Sequence, residues 1–182
     1  AYERQACTPI LYSGRQRAQG LEYALYLCPC CRSQNTLRGE DDQLRCNHCG
    51  ASATYREDGI LSGDFPHRTI LAWTIWQREQ LAQMLCVAAE QPIIRDEWQQ
   101  LMLDERDRLR KHSEGPMIMG AETLTVGDLH IKLLDITGFE IYRKNIIQFT
   151  LSDGRHFQTA KCTYFNALKY RDLWGIIRGP RE

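Results

Sequence analysis

The chain has 182 residues, of which 43% are hydrophobic, and its 23 Lys and Arg residues balance its 23 Asp and Glu residues. This composition excludes a disordered tail, and the zero net charge gives no overall attraction to polyanions such as nucleic acids. The longest apolar stretches, such as Leu21 to Leu27, are far shorter than the roughly 20 residues needed to span a bilayer.

The N-terminal region lacks the basic stretch followed by an apolar stretch that a secretion signal needs. We therefore expect a cytoplasmic protein, and the absence of an initiator Met before Ala1 is compatible with a fragment of a longer polypeptide. The first predicted element is a strand over Gly20 to Leu27, in which alternate residues from Leu21 onward are apolar and would share one face. This strand would run directly into Cys28.

Five of the eight cysteines lie within 22 residues. They include two Cys-x-x-Cys turns separated by 14 residues, a spacing that suits a short hairpin returning the second pair beside the first. In each turn two thiolates face one point, and two such turns supply the four sulfurs of a tetrahedral zinc site. We therefore predict a zinc ribbon with one structural Zn²⁺, whose ligands are Cys28, Cys31, Cys46 and Cys49.

Other interpretations of the cysteines are weaker. A redox Cys-x-x-Cys would need only one pair, and disulfides would suit a secreted chain. Cys30 and His48 lie inside the two turns and could substitute as ligands, although we expect neither to do so. Cys7, Cys86 and Cys162 stand alone, so we expect ordinary small buried residues rather than nucleophiles.

Around the predicted ligands, the sequence favours a hairpin and one long helix. Residues Asn35–Arg38 and Gln43–Arg45 are predicted strands on either side of a turn-rich connection. Apolar residues then recur at helical spacing from Thr69 to Ala89, and Pro92 would end this helix because it lacks an N–H. Three aromatic residues in and beyond this helix are expected to be core anchors: Trp73, Trp76 and Trp98.

The C-terminal half shows short β-type runs separated by turn signals, which predicts an antiparallel meander. A terminal helix over Tyr164 to Ile177 would cap it. Propensity alone makes Glu97 to Lys111 a helix, whereas a hairpin with strands at Trp98 to Asp104 and Arg108 to His112 would complete a small barrel-like sheet, and the sequence leaves both open. The remaining predicted strands are Thr123–Val126, Leu129–Leu134, Phe139–Tyr142, Ile146–Leu151 and His156–Ala160.

Several runs resemble one protein family. Ala18 to Cys31 reads AQGLEYALYLCPCC, Leu44 to Gly50 reads LRCNHCG, and Trp73 to Gln77 reads WTIWQ. These runs are similar to the region that follows the catalytic domain in some bacterial PlsC-type lysophospholipid (1-acyl-glycerol-3-phosphate) acyltransferases. Ile146 to Phe149 and Phe165 to Tyr170 also resemble the closing strands and helix of that region, which looks like a PH-type barrel.

The resemblance implies an α+β fold in three parts. These are a zinc-ribbon module with an N-terminal strand at 1–66, a connecting helix at 67–91, and a small antiparallel PH-like β-barrel with a C-terminal helix at 92–182. It also implies a non-catalytic accessory region of an acyltransferase of phospholipid biosynthesis. Such a region would position the enzyme at a membrane surface or dock a partner, including the acyltransferase domain itself.

The catalytic His-x4-Asp motif of that family is absent from its proper setting. His130 and Asp135 match the spacing, but Leu129 to Leu134 is predicted as a strand, and residues five apart on a strand point to opposite faces. We therefore predict no catalytic residue and expect no enzymatic activity from these residues alone.

The terminal helix suggests one partner. Trp174 and the basic residues around it could form an interfacial patch for anionic lipid at the inner face of the membrane, although a solvated basic face is the simpler interpretation. The alternative function is a nucleic-acid-binding ribbon or a protein-interaction adaptor. Nucleic acid is disfavoured because residues 1–66 carry 7 Lys and Arg against 8 Asp and Glu, a net charge of −1. The basic residues of the patch are Lys169, Arg171, Arg178 and Arg181.

Overall fold

The computed structural model describes residues 10–88, 91–105, 108–160 and 165–179. Within these residues it contains two α-helices and two antiparallel sheets, of four and seven strands, which confirms the predicted α+β class. No helix of the described residues has both the length and the apolar composition needed to cross a membrane. The chain divides into two compact units, Ala1–Glu79 (unit 1) and Gln80–Glu182 (unit 2), and the limits of the three predicted segments stay a prediction. The helices are α1 (Ile70–Val87) and α2 (Ala167–Arg178).

Unit 1 is built on a four-stranded antiparallel meander, in which each strand pairs with the next one along the chain. The predicted hairpin forms its first two strands, and the register places Leu37 opposite Cys46. Leu37, Leu44 and Leu61, from three of the strands, are buried and form a core together with Trp73. The strands are β1 (Leu37–Glu40), β2 (Gln43–Cys46), β3 (Ser52–Tyr55) and β4 (Leu61–Gly63).

The segment before the first Cys-x-x-Cys turn is not the predicted strand. Leu21–Tyr23 forms a 3₁₀ helix after Gly20, whose φ of 91° lies in the left-handed region, and Leu27 makes an isolated β-bridge. Residues 25–27 are all buried, whereas on a strand with one solvent-facing side they would alternate. The strand predicted over Gly20–Leu27 is therefore wrong.

Side chains of helix α1 bond the backbone of this segment in place of a neighbouring strand. The indole Nε1 of Trp73 donates to the carbonyl oxygen of Leu27 at 2.9 Å. The side chain of Gln77 accepts from the N–H of Tyr26 at 3.1 Å and donates to the carbonyl oxygen of Ala24 at 2.8 Å. Both side chains are fully buried, so the bonds satisfy polar groups that water does not reach, and the predicted core role of Trp73 is confirmed.

Unit 2 contains a seven-stranded antiparallel sheet whose last strand, β11, pairs with its first, β5. The order β8-β7-β6-β5-β11-β10-β9 leaves β8 and β9 as edges, so within the described residues the sheet is not closed into a barrel. The described part of Glu97 to Lys111 lies in the β5–β6 hairpin, so the helix alternative is wrong and strand pairing has overridden propensity. The strands are β5 (Ile94–Asp104), β6 (Leu109–Met119), β7 (Thr123–Val126), β8 (Leu129–Lys132), β9 (Ile136–Tyr142), β10 (Ile146–Leu151) and β11 (His156–Thr159).

Strand β5 carries a bulge that the sequence does not signal. It has two residues, Glu97 and Trp98, where β6 has only Pro116, which offers no N–H to the ladder. Trp98 is 50% exposed, so its predicted core role is wrong, while Trp76 of α1 is half-buried. A bulge re-aims the side chains of its strand, and here it turns a tryptophan toward solvent.

Helix α2 is the predicted terminal helix and begins after Asn166, whose side chain accepts from the N–H of Lys169 at 3.2 Å. Its first turn contains a buried ion pair, in which Lys169 Nζ lies 2.7 Å from Asp96 Oδ2. The Tyr170 hydroxyl lies 2.6 Å from the same carboxylate oxygen and 2.9 Å from the carbonyl oxygen of Met117. Charged and polar groups therefore join α2 to β5 and β6 inside unit 2.

This arrangement overturns part of the predicted lipid-facing patch. Lys169 is fully buried, and burial lowers the pKa of its ammonium group while its carboxylate partner opposes that shift. Trp174 is 6% exposed and stacks on a phenylalanine of β9 at a centroid separation of 5.6 Å. Arg171 and Arg178 are exposed, and Arg181 lies outside the described residues. The patch therefore lacks its aromatic anchor and one of its four cations.

A close backbone approach in unit 1 can be tested by substitution. A Cβ atom at Gly39 of β1 would lie 1.9 Å from the carbonyl oxygen of Ala18, an atom of the backbone that cannot rotate away. We expect Gly39→Ala to lower the free energy of unfolding by about 3 kcal/mol, because the backbone must shift. Urea unfolding followed by circular dichroism measures this loss.

The matched control is Gly14→Ala, also in unit 1, where the nearest atom to the added Cβ would be the flexible Arg17 side chain at 4.0 Å. We expect it to change the free energy of unfolding by less than about 0.5 kcal/mol. Equal stability of the two variants would contradict the close approach.

Candidate metal centre

The first Cys-x-x-Cys turn is closed by two backbone hydrogen bonds of Cys28. Its N–H donates to the carbonyl oxygen of Ser33 at 3.0 Å, and its carbonyl oxygen accepts from the N–H of Arg32 at 2.8 Å. These bonds fold the chain back on itself directly after Cys31. The backbone of Cys28 is thereby fixed against the residues that follow the turn.

The second turn repeats the same pattern. The N–H of Cys46 donates to the carbonyl oxygen of Ala51 at 2.8 Å, and its carbonyl oxygen accepts from the N–H of Gly50 at 2.9 Å. In both turns the residue after the last cysteine has a left-handed backbone conformation, with φ of 59° at Arg32 and 79° at Gly50. Glycine adopts this conformation without steric cost, whereas arginine does so because the surrounding bonds impose it.

The β1–β2 hairpin brings the second turn beside the first. The N–H of Asn47 donates to the carbonyl oxygen of Thr36 at 2.8 Å, and the N–H of Asn35 donates to the carbonyl oxygen of Tyr26 at 3.0 Å. Cys46 is the last residue of β2, so the register of the hairpin sets its position. The two turns therefore face each other across the hairpin.

The four predicted ligands are brought together. Their sulfur atoms all lie within 4.8 Å of one another, which is close enough to bind a metal ion. The Sγ atoms of Cys28 and Cys49 are 3.8 Å apart, and so are those of Cys31 and Cys46. Each of these close pairs joins one turn to the other.

The cluster lies at the surface of unit 1 and is buried on one side. Cys28 and Cys46, the first cysteines of the two turns, are fully buried and belong to the core that contains Leu37 and Trp73. Cys31 is half-buried and Cys49 is exposed. A metal ion bound here would therefore touch the core through two sulfurs and approach solvent through the other two.

Thr36 supplies a hydrogen bond to the cluster from the side chain. Its hydroxyl oxygen lies 3.2 Å from the Sγ atom of Cys46, a distance that suits donation to a thiolate. Burial opposes ionisation of Cys46, but this bond, the backbone N–H groups of Cys49 and His48, and the Cys28 side chain together outweigh it and lower the pKa of the thiol. Thr36 thus favours the thiolate form, which is the form that binds metals.

The thiols of the first turn are affected in opposite directions. Burial raises the pKa of Cys28 well above its usual range. Burial also opposes ionisation of Cys31, but hydrogen bonds from the hydroxyl and backbone N–H of Ser33 help to lower the pKa of Cys31 to about 6. The half-buried sulfur of this turn is therefore the one that ionises more readily without a metal.

Cys30 and His48, the residues that could have substituted as ligands, do not join the cluster. Cys30 is exposed, and its sulfur lies 3.9 Å from the carbonyl oxygen of Asp64. His48 is also exposed and is outside the four-cysteine group. Cys86 is exposed, so the prediction that it is buried is wrong. The other two single cysteines, Cys7 and Cys162, lie outside the described residues.

His130 and Asp135 lie on different elements, although the sequence predicted one continuous strand. Strand β8 ends at Lys132, and Asp135 belongs to the 3₁₀ helix Leu133–Asp135 that follows. Both side chains are exposed, and no hydrogen bond or ion pair joins them within the described residues. The prediction of one strand over Leu129–Leu134 is therefore wrong, and the end of β8 separates the two residues rather than opposite faces of one strand.

Sequence reasoning missed the polar residues that support the cluster. Ser33 and Thr36 directly follow the first turn, and hydroxyl residues so close to a predicted thiolate are a signal that could have identified them. The sequence marks Gln77 only as the last residue of the Trp-x-x-Trp-Gln motif, and its bonds to the backbone depend on packing that no local pattern reveals.

Comparisons of the chain with models of protein families, with curated proteins and with solved structures find no match. The four-cysteine cluster is the feature of the described residues with the most definite chemistry. Its four cysteine sulfurs lie close enough together to bind a metal ion, and sulfur donors suit a soft or borderline one.

The effect of the Thr36 hydroxyl on metal binding can be separated from the effect of the side chain's volume. We expect Thr36→Val, which keeps the shape and removes the hydroxyl, to weaken metal binding about tenfold or more, the usual effect of losing a group that bonds a ligand. Competition with a chromophoric chelator measures the affinity. Thr36→Ser keeps the hydroxyl and should retain the affinity, and equal loss in both variants would assign the effect to packing.

Proposed function

We propose that Cys28, Cys31, Cys46 and Cys49 hold one Zn²⁺ ion as a structural site. The observation that carries the proposal is the sulfur spacing, since two of the four sulfur pairs between the turns are separated by 3.8 Å and all four sulfurs lie within 4.8 Å of one another. A regular tetrahedron with Zn–S bonds of about 2.3 Å has edges of about 3.8 Å. The donor set, four thiols and no other ligand, is also one that zinc prefers.

A structural role follows from the number of ligands. Four cysteines fill a tetrahedral coordination sphere, so the ion would have no open position for water or substrate. The ion would instead join the two turns and extend the core on the side of Cys28 and Cys46, which are already buried. A unit as small as unit 1 benefits from such a crosslink because its hydrophobic core is limited.

We further propose that unit 2 is a PH-like domain with a binding or positioning role. Seven antiparallel strands with the last paired to the first, and a C-terminal helix that contacts β9 and β10, are the features that favour this fold. The buried ion pair of Lys169 and Asp96 fixes the helix to the sheet. Nothing in these features implies a reaction.

The two units together are proposed to be a non-catalytic accessory region of a lysophospholipid acyltransferase of the PlsC type. The support is the run from Ala18 to Cys31, the second Cys-x-x-Cys turn and the Trp-x-x-Trp-Gln motif of α1, which resemble the region after the catalytic domain in that family. The exposed and separate positions of His130 and Asp135 favour a role without catalysis.

The zinc site predicts a stoichiometry. Elemental analysis of the purified chain should return one zinc per polypeptide, and replacement by cobalt(II) should give the visible absorption of a tetrahedral tetrathiolate site. Changing any of the four ligands to serine should abolish stoichiometric zinc. Cys30→Ser and Cys86→Ser are matched controls, because both remove an exposed thiol outside the cluster, and each should retain one zinc. Full zinc content in Cys28→Ser would refute the assignment.

The accessory role predicts a negative result with a definite control. The chain alone, incubated with lysophosphatidate and either acyl-CoA or acyl-carrier protein, should form no phosphatidate, as judged by mass spectrometry. A PlsC-type acyltransferase with its His-x4-Asp motif, assayed in parallel, provides the positive control. Turnover by the chain that His130→Ala abolishes would overturn the non-catalytic proposal.

A further inference from the structure

A hollow in unit 2 lies where the open sheet meets the end of helix α2. Its volume is about 420 Å³, which is within the range of small-molecule sites. Its walls come from the β6–β7 connection, from the end of β8 with the 3₁₀ helix after it, and from the last turn of α2. The side chains used below are Glu122, Lys132, Leu133, Leu134, Ile177 and Arg178.

Arg178 is a cation that the fold holds in place. Its Nη2 atom donates to the carbonyl oxygens of Leu134, at 3.1 Å, and of Ile136. The guanidinium carbon also lies 5.7 Å from the ring centroid of Trp174, which is itself buried. Both hydrogen bonds use one nitrogen, and within the described residues the N–H groups of Nε and Nη1 make no hydrogen bond. A cation fixed in this way loses little conformational freedom when it binds an anion.

Lys132 is a second cation on the same hollow. It is exposed, and its ammonium group has no ion pair or hydrogen bond among the described residues. Glu122, also on the hollow, carries the opposing charge, so the side chains that line it have two positive charges and one negative charge. The net positive charge favours an anionic group at this rim.

The remaining wall is apolar. Leu133 is 2% exposed and Ile177 is half-buried, whereas Leu134 is 80% exposed at the hollow. An exposed leucine beside a half-buried isoleucine offers apolar area that an alkyl chain could remove from water, whereas Leu133 is already covered by the fold. The hollow therefore combines an anion-binding rim with an alkyl-binding wall.

We propose that this hollow binds a single-chain amphiphile with an anionic head group. Lys132 and Arg178 would contact the head, and Leu134 and Ile177 would cover the alkyl chain. A free phosphate would leave the apolar wall uncovered, and a neutral alkyl compound would leave both cations unpaired. The proposal goes beyond the accessory role and stands whether or not the zinc site and the acyltransferase assignment hold.

The test uses the full 182-residue chain and octyl phosphate below its critical micelle concentration. Saturable shifts in the amide resonances of residues 121–123, 132–134 and 177–178 are expected in a ¹H–¹⁵N spectrum. Octyl glucoside, which has the same chain and no charge, and inorganic phosphate, which has no chain, should each bind at least tenfold more weakly. Equal binding of either control would overturn the proposal.

Variants that are expected to change the affinity for octyl phosphate in opposite directions make the test specific. Lys132→Gln should weaken octyl phosphate binding about fivefold, and Glu122→Gln should tighten it about twofold, because each changes one exposed charge beside the head group. Leu134→Ala should weaken binding about threefold by removing apolar contact. Arg178 is left unchanged, because its bonds to two carbonyl groups also support the fold.

The matched control is Arg143→Gln, which removes an exposed cation in the turn after β9, at the far end of that strand from Ile136. It should leave octyl phosphate binding unchanged. Weaker binding by Glu122→Gln, or a loss in Arg143→Gln equal to that in Lys132→Gln, would show only general attraction of anions and would refute the site. Association with anionic phospholipid vesicles in the absence of any octyl phosphate binding would refute it as well, because it would assign the cations to a membrane surface.

Discussion

The central constraint on unit 1 is that two backbone turns must present their sulfurs to one point. Each turn is closed by the same two bonds of its first cysteine, and the β1–β2 hairpin sets the distance between them. The first turn also depends on the segment that precedes it, which belongs to neither sheet and pairs with other backbone through the isolated β-bridge of Leu27 with Gln34. Trp73 and Gln77 of α1 bond that segment through buried side-chain groups, so the position of the first two sulfurs depends on a helix far along the chain.

The candidate site was predictable because its information is local. The spacing of two Cys-x-x-Cys turns around a short hairpin fixes which four residues can converge, and no distant contact is needed to select them. The segment before the first turn was mispredicted for the opposite reason. Alternating apolar residues indicate a strand only if another strand satisfies the hydrogen-bonding groups of its backbone. Here the side chain of Gln77, 51 residues after Tyr26, bonds to that backbone instead.

Unit 2 shows the same division between local and distant information. Turn signals located the later strands, although the strand predicted over Leu129–Leu134 ends at Lys132 and a 3₁₀ helix follows it. Propensity and pattern disagreed over the first hairpin, and only cross-strand pairing decides it. The exposed Trp98 and the buried Lys169 contradict the general preferences of their residue types. The first depends on a bulge opposite Pro116, and the second on a carboxylate in another strand, so neither could be inferred from neighbouring residues.

The ion pair between Lys169 and Asp96 has a consequence for how this sequence can diverge. A buried charge left without its partner costs several kcal/mol, whereas replacing both members by well-packed apolar residues is often nearly neutral. Tyr170 adds to the constraint, because its hydroxyl lies against the same carboxylate. Descendants of this chain should therefore conserve the lysine and the aspartate as a pair or lose both, and the two alignment columns should covary although the residues belong to different elements.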